Sequence, residues 1–449
     1  MAKPTPLSGF PEFLPAQRVV EQQVIATLAR TFELHGFANI ETRAVEPMDQ
    51  LLAKGETSKE VYVLRRLQEE GSGDAGMGLH FDLTVPFARY VLENAGKLEF
   101  PFRRFQIQKV WRGERPQAGR FREFTQADID IVGRDTLGFH HDVEVARVMA
   151  EALGRLEFLP GFRIQVNNRK LIQGFYAGLG ADDPLRVMQI VDKLDKMPAE
   201  KVGELLRSDA GLSAEQAEQT LALARISTAD TGFVAAVRAL GVEHPLLDEG
   251  LTELAAVIEG CADIEDEPGR SIRVVADLSI ARGLDYYTGT VFETRLDGFE
   301  SLGSICSGGR YDSLASDGRS TYPGVGISFG VSRALVPLLG DGAVTASRSV
   351  PSAVLVALTD EESRPAADAT ARQLRANGIA CEVAAKADKF GKQIKYAERR
   401  GIPYVWFATV EGAQVKDIRS GEQVAADART WQPPTEDLRP QVVAPIRAD

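Results

Sequence analysis

Apolar positions Val19, Val20, Val24, Leu28 and Phe32 recur at helical spacing and Gly36 follows, so residues 15–35 are predicted as a helix. Residues 37–45 read as a strand closed by Pro47, an edge suited either to plain scaffolding or to meeting a partner chain. Runs at 61–67 and 79–81 read as strands of a hairpin on either side of EEGSGDAGMG, and residues 87–92 as a helix. An apolar run ending in Trp111 and a second through Phe124, Ala127, Ile129 and Ile131 predict two strands joined by a long Arg-, Gly- and Pro-rich loop. A helix at 139–156 and a strand at 161–166 follow. From 169 to 259 the chain is rich in Ala, Leu, Glu and Asp at helical spacing, with turns near Asp183-Pro184, Gly211 and Gly241. This reads as a helical insertion without a chemical motif, its VDKLDKMP segment an exposed amphipathic helix end. Strands resume at 271–278 and 291–296, residues 307–312 read as a tight turn, and 324–330 lead into a helix containing Arg333. Beyond a small-residue linker at 340–348, strand 353–358, helix 362–377, strand 379–383, helix 390–399 and strand 404–409 alternate. Such alternation implies a compact α/β domain with parallel neighbours. The Pro-rich tail from Trp431 is expected to be poorly ordered.

With 449 residues, 44% hydrophobic and 26% charged, the chain suits two or three soluble domains. It has no apolar run of membrane-spanning length, and its N-terminus lacks a signal-peptide core. Three scattered cysteines point to a reducing cytoplasm rather than a disulfide framework. The five histidines and the cysteines show no zinc-ligand spacing. A net charge of −12 argues against indiscriminate nucleic-acid binding but leaves room for local basic features.

One such feature is the predicted hairpin, where Arg103, Arg104, Lys109, Arg112, Arg115, Arg120 and Arg122 are opposed in that span by Glu114 alone. Guanidinium forks match phosphate oxygens, so the hairpin suits a polyphosphate or an RNA backbone; a solvated basic hairpin is the plainer alternative. Gln126, Asp128 and Asp130 alternate along the returning strand, which places Gln126 and Asp130 on one face beside that phosphate site. In HFDLTVP, Asp82 and Thr84 flank Leu83 and suit an ammonium, although Thr84 ahead of Pro86 is also good helix-capping chemistry. ARGLDYYTGT sets Arg282 beside Tyr286 and Tyr287, as a pocket charge with aromatic walls or as a surface turn. The glycines of GVGISFG do not fit a dinucleotide fingerprint, and no GxxxxGK[ST] loop occurs, so any ATP binds without a P-loop. Lys392, Lys395 and Arg399 share one helix face, either solvated or facing RNA phosphates.

Taken in order, these motifs resemble the class II aminoacyl-tRNA synthetases, and specifically the histidyl-tRNA synthetase family, over residues 9–424. The second class II motif is matched by Arg112-Gly113-Glu114 and Phe124, and the third by the glycine-rich strand running to Arg333. Arg282-Gly283-Leu284-Asp285-Tyr286-Tyr287 is similar to the signature peculiar to the histidine enzymes, and Ser307-Gly308-Gly309-Arg310-Tyr311-Asp312 to their second signature. HFDLTVPFARY is closer to the archaeal and eukaryotic branch.

The resemblance implies an α+β fold with a six-stranded antiparallel catalytic sheet flanked by helices. Its implied plan is a catalytic domain at 1–168 and 266–340, a helical insertion at 169–265 that clamps the tRNA acceptor arm, a linker at 341–349, an anticodon-binding α/β domain at 350–430 and a tail at 431–449. A cytoplasmic homodimer is implied, with residues 15–47 near the interface and no DNA or membrane partner. The implied substrates are ATP with Mg2+, L-histidine and tRNA(His), joined through a histidyl-adenylate. By resemblance, Arg112 bridges the histidine carboxylate and the α-phosphate, and Arg282 holds that phosphate from the other side. Glu114 accepts from the adenine amino group, Phe124 and Arg333 sandwich the ring, and Arg120 reaches the terminal phosphate. Asp82, Thr84 and Gln126 take the ammonium; Asp130 and Tyr287 take the imidazole, with Leu83, Tyr286 and Tyr311 completing the histidine site. The magnesium ligands are not assigned.

Three positions depart from the family pattern: Asp82 and Asp130 stand where many bacterial members have Glu, and Ser332 where Glu usually precedes the motif-three arginine. The competing reading is a non-catalytic paralogue, either a regulatory subunit of ATP phosphoribosyltransferase or an uncharged-tRNA sensor. Such chains tend to lose the Arg282-type signature, and the regulatory subunits lack the C-terminal domain. A plain RNA-binding module leaves the paired carboxylates and the double tyrosine without a role.

Overall fold

The computed structural model describes residues 5–52, 60–66, 76–117, 119–280, 287–313, 315–409 and 412–444. The chain divides into two compact units, one of residues 1–11 and 25–337 and the other of residues 12–24 and 338–449.

In chain order the elements before the insertion are α1 (Pro15–Leu34), β1 (Ala38–Asn39), β2 (Val45–Pro47), α2 (Met48–Leu52), β3 (Val63–Leu64), β4 (Met77–Leu79), α3 (Thr84–Asn94), β5 (Phe102–Trp111), β6 (Glu123–Val132), α4 (His140–Gly154) and β7 (Phe162–Asn168). Helices α5 (Arg169–Gly178), α6 (Pro184–Val191), α7 (Ala199–Ala210) and α8 (Ala214–Ala224) follow, then β8 (Ser227–Thr228), α9 (Gly232–Arg238) and α10 (Pro245–Gly260). Local chemistry sets these boundaries. Asn168 and Asp183 cap α5 and α6 by accepting backbone N–H groups, Ser213 and Gln216 close a capping box on α8, and Gly211 ends α7 in the left-handed region. The insertion is helical as expected. The VDKLDKMP segment contributes a 3-10 turn, Asp192–Asp195, in which Asp195 pairs with Arg295 at 2.9 Å.

The sheet resumes with β9 (Ile272–Asp277), β10 (Thr290–Leu296), β11 (Cys306–Tyr311) and β12 (Gly324–Gly330), and α11 (Val331–Gly340) follows. Strand order in the nine-stranded sheet is β1-β5-β6-β12-β11-β10-β7-β9-β8. The six strands from β5 to β7 in that order are antiparallel throughout, which is the catalytic sheet that the sequence implied. β1 and β9 add parallel neighbours at its two sides. The strand expected at 37–45 is shorter than its pattern: only residues 38–39 join this sheet, and 45–47 pair with β4 instead.

Strand alternation gives the sheet two unlike faces. On β6 the side chains of Ala127, Ile129 and Ile131 are fully buried among apolar neighbours, while Gln126, Asp128 and Asp130 point the other way. Registry carries the polar face across the sheet: Arg104, Gln106 and Gln108 lie opposite Asp130, Asp128 and Gln126, and these lie opposite Gly326, Ser328 and Gly330.

Residues 307–312 do not form the expected tight turn: 307–311 lie within β11, paired with β12 throughout and with β10 as far as 309. Their glycines serve close strand packing rather than a bend, since a Cβ on Gly308 would sit 2.1 Å from the Gly326 carbonyl oxygen.

The second unit contains β13 (Thr345–Ala346), β14 (Val354–Val356), α12 (Arg364–Ala376), β15 (Cys381–Val383), α13 (Phe390–Arg400), β16 (Tyr404–Thr409), β17 (Gly412–Asp417), β18 (Gln423–Ala425) and β19 (Val442–Val443). β14 lies parallel to β15 and β16, as the alternation required, and β17 and β18 extend the sheet antiparallel. Two expectations are corrected here. The linker holds β13, which pairs with β19, and the described part of the tail, 431–444, is packed rather than disordered. Trp431 meets Tyr404 and Trp406 edge-on at 5.2 and 5.7 Å. Asp437 is buried and accepts from Tyr404 Oη and Arg419, each at 2.7 Å. Aromatic packing outweighs the local proline signal.

Candidate active site

A cavity of about 220 Å³ opens over the polar face at the β5–β6 loop, lined by Arg112, Glu114, Arg120, Phe124, Gln126, Ser328 and Arg333 among others. β5 and β6 hold the first five of these on one hairpin, and α11 brings Arg333 from far along the chain. The hairpin mouth is fastened by backbone bonds from Arg112 N–H to the Arg122 carbonyl at 2.9 Å and from Gly113 N–H to the Glu60 carbonyl at 2.7 Å.

Inside, Arg112 lies over the Phe124 ring at 5.2 Å, and its Nε donates to the Phe81 carbonyl at 3.0 Å. Glu114 receives Arg120 at 3.1 Å and Arg112 at 3.9 Å. Arg333 donates through Nε to the Leu302 carbonyl at 2.9 Å. Burial, followed by Arg120 and Arg112, pushes the Arg333 guanidinium below its usual range, so three like charges are held close before any anion arrives. Glu60, which the sequence did not single out, is pushed up by burial and by Glu114. Ser332 has a role of its own: its hydroxyl accepts the Thr125 N–H at 2.9 Å, tying α11 to β6 where the family pattern has Glu.

Of the other basic residues of the hairpin, Arg115 is exposed and three are paired. Arg103 pairs with Glu144, Lys109 with Glu123, and the fully buried Arg104 with Asp130 at 2.6 Å. The basic excess that faces the cavity is Arg112, Arg120 and Arg333.

Deeper along the strands lies a carboxylate cluster. Asp130 receives Arg104 on Oδ2 and the Tyr311 hydroxyl on Oδ1 at 2.7 Å, and Arg104 itself lies over the Phe87 ring at 4.2 Å. Gly326 makes room for this arrangement: a Cβ there would fall 2.2 Å from Asp130 Oδ1. Tyr311 is buried in an apolar cluster with Phe87, Val91 and Val132, against which Tyr287 packs half-buried. Asp82 and Leu83 are buried at the mouth of α3, with Thr84 half-buried behind them. The cap of α3 is not Thr84, which is its first residue; the Val85 N–H goes to Asp82 Oδ1 at 2.9 Å. Buried His80 pins this segment to β5 by stacking on Trp111 at 5.5 Å, with its Nε2 2.7 Å from the Lys109 carbonyl.

Arg282 and Tyr286 lie outside the described residues. The cluster thus brings together Asp82, Leu83, Thr84, Gln126, Asp130, Tyr287 and Tyr311 along one side of the sheet. Asp128, Ser328 and Arg104 are the members that motif reading passed over. Among the described residues no group of three or more His, Cys, Asp or Glu side chains is placed to hold a metal. In the second unit Lys392, Lys395 and Arg399 are all exposed on α13, with Lys392 3.1 Å from Asp388.

An antiparallel sheet bearing an arginine-lined cavity on its polar face is the architecture of a class II aminoacyl-tRNA synthetase. Residues 9–334 match the model of histidyl-tRNA synthetase, and residues 352–427 that of an anticodon binding domain. A curated Histidine–tRNA ligase of Cutibacterium acnes is 60% identical over 456 residues, covering 99% of each chain. That of Thermobifida fusca is 51% identical, covering 96% of this chain and 98% of its own. Among solved structures, histidyl-tRNA synthetase from Nostoc sp. PCC 7120 superposes with a TM-score of 0.84 at 34% identity, covering 95% of this chain and 98% of its own. The chain belongs to the histidyl-tRNA synthetase family. The fold alone is shared with a Bacillus halodurans protein described as an ATP phosphoribosyltransferase regulatory subunit/histidyl-tRNA synthetase, at 21% identity over 88% of this chain and 97% of its own and a TM-score of 0.71.

Proposed function

We propose that the chain activates L-histidine with ATP, releasing pyrophosphate, and passes the activated histidine to the terminal adenosine of tRNA(His). The observation that carries this reading is one cavity in which Arg112, Phe124, Gln126 and Arg333 meet, continuous along β6 with the carboxylates that suit an amino acid. ATP would lie with its adenine between Phe124 and Arg333 and its amino group on Glu114. The histidine carboxylate oxygen attacks the α-phosphorus, and the bond to the pyrophosphate oxygen breaks. Arg112, already aimed by its bond to the Phe81 carbonyl, stabilises the negative charge on the phosphoryl oxygens in that transition state. Arg120 exchanges Glu114 for the terminal phosphate. Arg282 is assigned the opposite side of the α-phosphate by its place in the family signature. Magnesium would arrive with the triphosphate, which supplies most of its ligands itself.

Histidine recognition would divide along the polar face. Asp82, Thr84 and Gln126 take the ammonium, while Asp130 and Tyr287 take the imidazole, with Leu83, Tyr286 and Tyr311 as walls. Asp130 is shorter than the glutamate common in bacterial relatives. Its two anchors, Arg104 and Tyr311, fix where its lone pairs point, so specificity comes from aim rather than reach. A site gripping both ring nitrogens rejects side chains that leave buried polar groups unpaired.

The insertion is assigned to the acceptor arm, the α13 stripe to tRNA phosphates, and residues 15–47 to a homodimer interface in a cytoplasmic enzyme. The full-length relatives and the anticodon-domain match favour the ligase over a regulatory subunit or a sensor. The deciding experiment is pyrophosphate exchange with each of the twenty amino acids. Exchange with histidine alone is expected; exchange with another amino acid, or with none, overturns the reading.

A further inference from the structure

Between Gln126 and Asp130, on the same face of β6, lies Asp128, which the scheme above leaves unused. It is 2% exposed, and its Oδ1 has no hydrogen-bond partner among the described residues. Two neighbouring acceptors share that condition. Gln126 gives its amide N–H to the Ser328 hydroxyl at 2.7 Å and leaves Oε1 unmatched. Gln106, directly across from Asp128 on β5, donates to Thr42 Oγ1 at 2.9 Å and to Gln108 Oε1 at 2.6 Å, and also leaves Oε1 unmatched. Facing residues of paired strands stand about 5 Å apart at Cβ, and i, i+2 positions share a face, so the three oxygens belong to one patch.

Buried acceptors left without donors are costly, so a patch of three calls for a donor-rich group. The other carboxylates of the cluster are engaged: Asp130 by Arg104 and Tyr311, and Asp82 by the Val85 N–H. Arg104 is paired with Asp130 and lies over the face of Phe87; its Nε and Nη1 also lack a hydrogen-bond partner among the described residues, and it acts on Asp128 through space.

We propose that Asp128, with Gln126 and Gln106, receives the α-ammonium of the amino-acid substrate. An ammonium has three N–H donors and no acceptor, which matches the open oxygens of Asp128, Gln126 and Gln106. The assignment rests on the histidine-activation reading and adds a residue to it. It also explains how a short Asp82 suffices, because the ammonium no longer depends on that residue alone.

Protonation supports the same placement. Burial pushes the Asp128 carboxyl up to about 7, with Asp130 and Asp82 raising it and Arg104 and the Ser328 hydroxyl lowering it. The Cys306 thiol on β11 is itself pushed up to about 12 by burial, with the Asp128 charge adding to the shift through space. Below neutrality the free protein therefore holds a proton on Asp128, and an arriving ammonium expels it.

The test uses pyrophosphate exchange with the whole protein, wild type and Asp128→Asn, a change that keeps shape and removes charge. Two competitors separate the ends of the substrate: histidinol, which has the ammonium, and imidazolepropionate, which lacks it. The variant is expected to raise the KM for histidine and the Ki for histidinol about tenfold or more, with the KM for ATP and the Ki for imidazolepropionate unchanged. Calorimetry in buffers of different ionisation enthalpy should show a proton released on histidinol binding at pH 6.5 by the wild type and none by the variant. Equal weakening of both competitors, or no change in either, overturns the proposal. A wild type that exchanges with no amino acid, or with one other than histidine, instead overturns the histidine reading on which the proposal rests.

Discussion

Arg104 and Asp130 face each other across β5 and β6 at 2.6 Å, both removed from water, in the buried carboxylate cluster. The pair fixes the aim of the Asp130 carboxylate, and neither partner tolerates loss of the other. Arg104→Gln is expected to lower unfolding stability by about 3 kcal/mol, the usual cost of breaking a buried ion pair. Urea unfolding at pH 7.5 checks this, and histidine KM should rise in the fraction that stays folded.

Gly326 is the hollow into which the Asp130 carboxylate fits. Gly326→Ala puts a methyl 2.2 Å from Oδ1 and 2.5 Å from the Ile129 carbonyl oxygen, so the carboxylate must swing away from Tyr311 and β12 must shift against β6. Overpacking of this kind costs about 1–3 kcal/mol. Histidine-dependent exchange should fall at least tenfold while ATP affinity, read by nucleotide titration, stays within twofold.

The pH dependence of stability follows from Asp128. Its carboxyl sits at about 7 in the folded chain, against an ordinary value of 3.8. Between those values the folded state binds a proton that the unfolded state does not, so this group's contribution falls as pH rises through the window. Chemical unfolding of wild type and Asp128→Asn from pH 5 to pH 8 should show the wild type losing stability relative to the variant as pH increases. A constant difference would show that the group does not titrate there.

Neutralising Lys392, Lys395 and Arg399 together should weaken tRNA binding and reduce the slope of its logarithm against salt by up to about two or three units, with pyrophosphate exchange unchanged. Filter binding across a salt series measures both quantities. An unaltered slope would mark the stripe as a solvated face.

The periodicity of α1, the β5–β6 hairpin, the insertion and the alternation in the second unit were legible because each is local. Arg112, Glu114, Phe124 and Arg333 were legible as motif residues, and the fold brings them to one cavity. Arg104 was not. In the sequence it is one more arginine in a basic run, and only registry with Asp130 turns it inward. Gly308 and Gly309 suggested a turn because glycine permits one, whereas here it serves close approach between strands. Asp128 lay hidden between two residues with recognised roles, since nothing local shows which carboxylates will find partners.

The second unit takes material from both ends of the chain: residues 12–24 group with residues 338–449, and the Gln23 amide donates to the Pro440 carbonyl. Its final strand and the seat of Trp431 follow its other elements along the chain. During translation this unit therefore stays open at one side until its final strand emerges, while the large sheet of the first unit already has all its strands. Cutting the gene at the start of the anticodon domain, or ending it before Trp431, would yield a fragment missing part of its own wall.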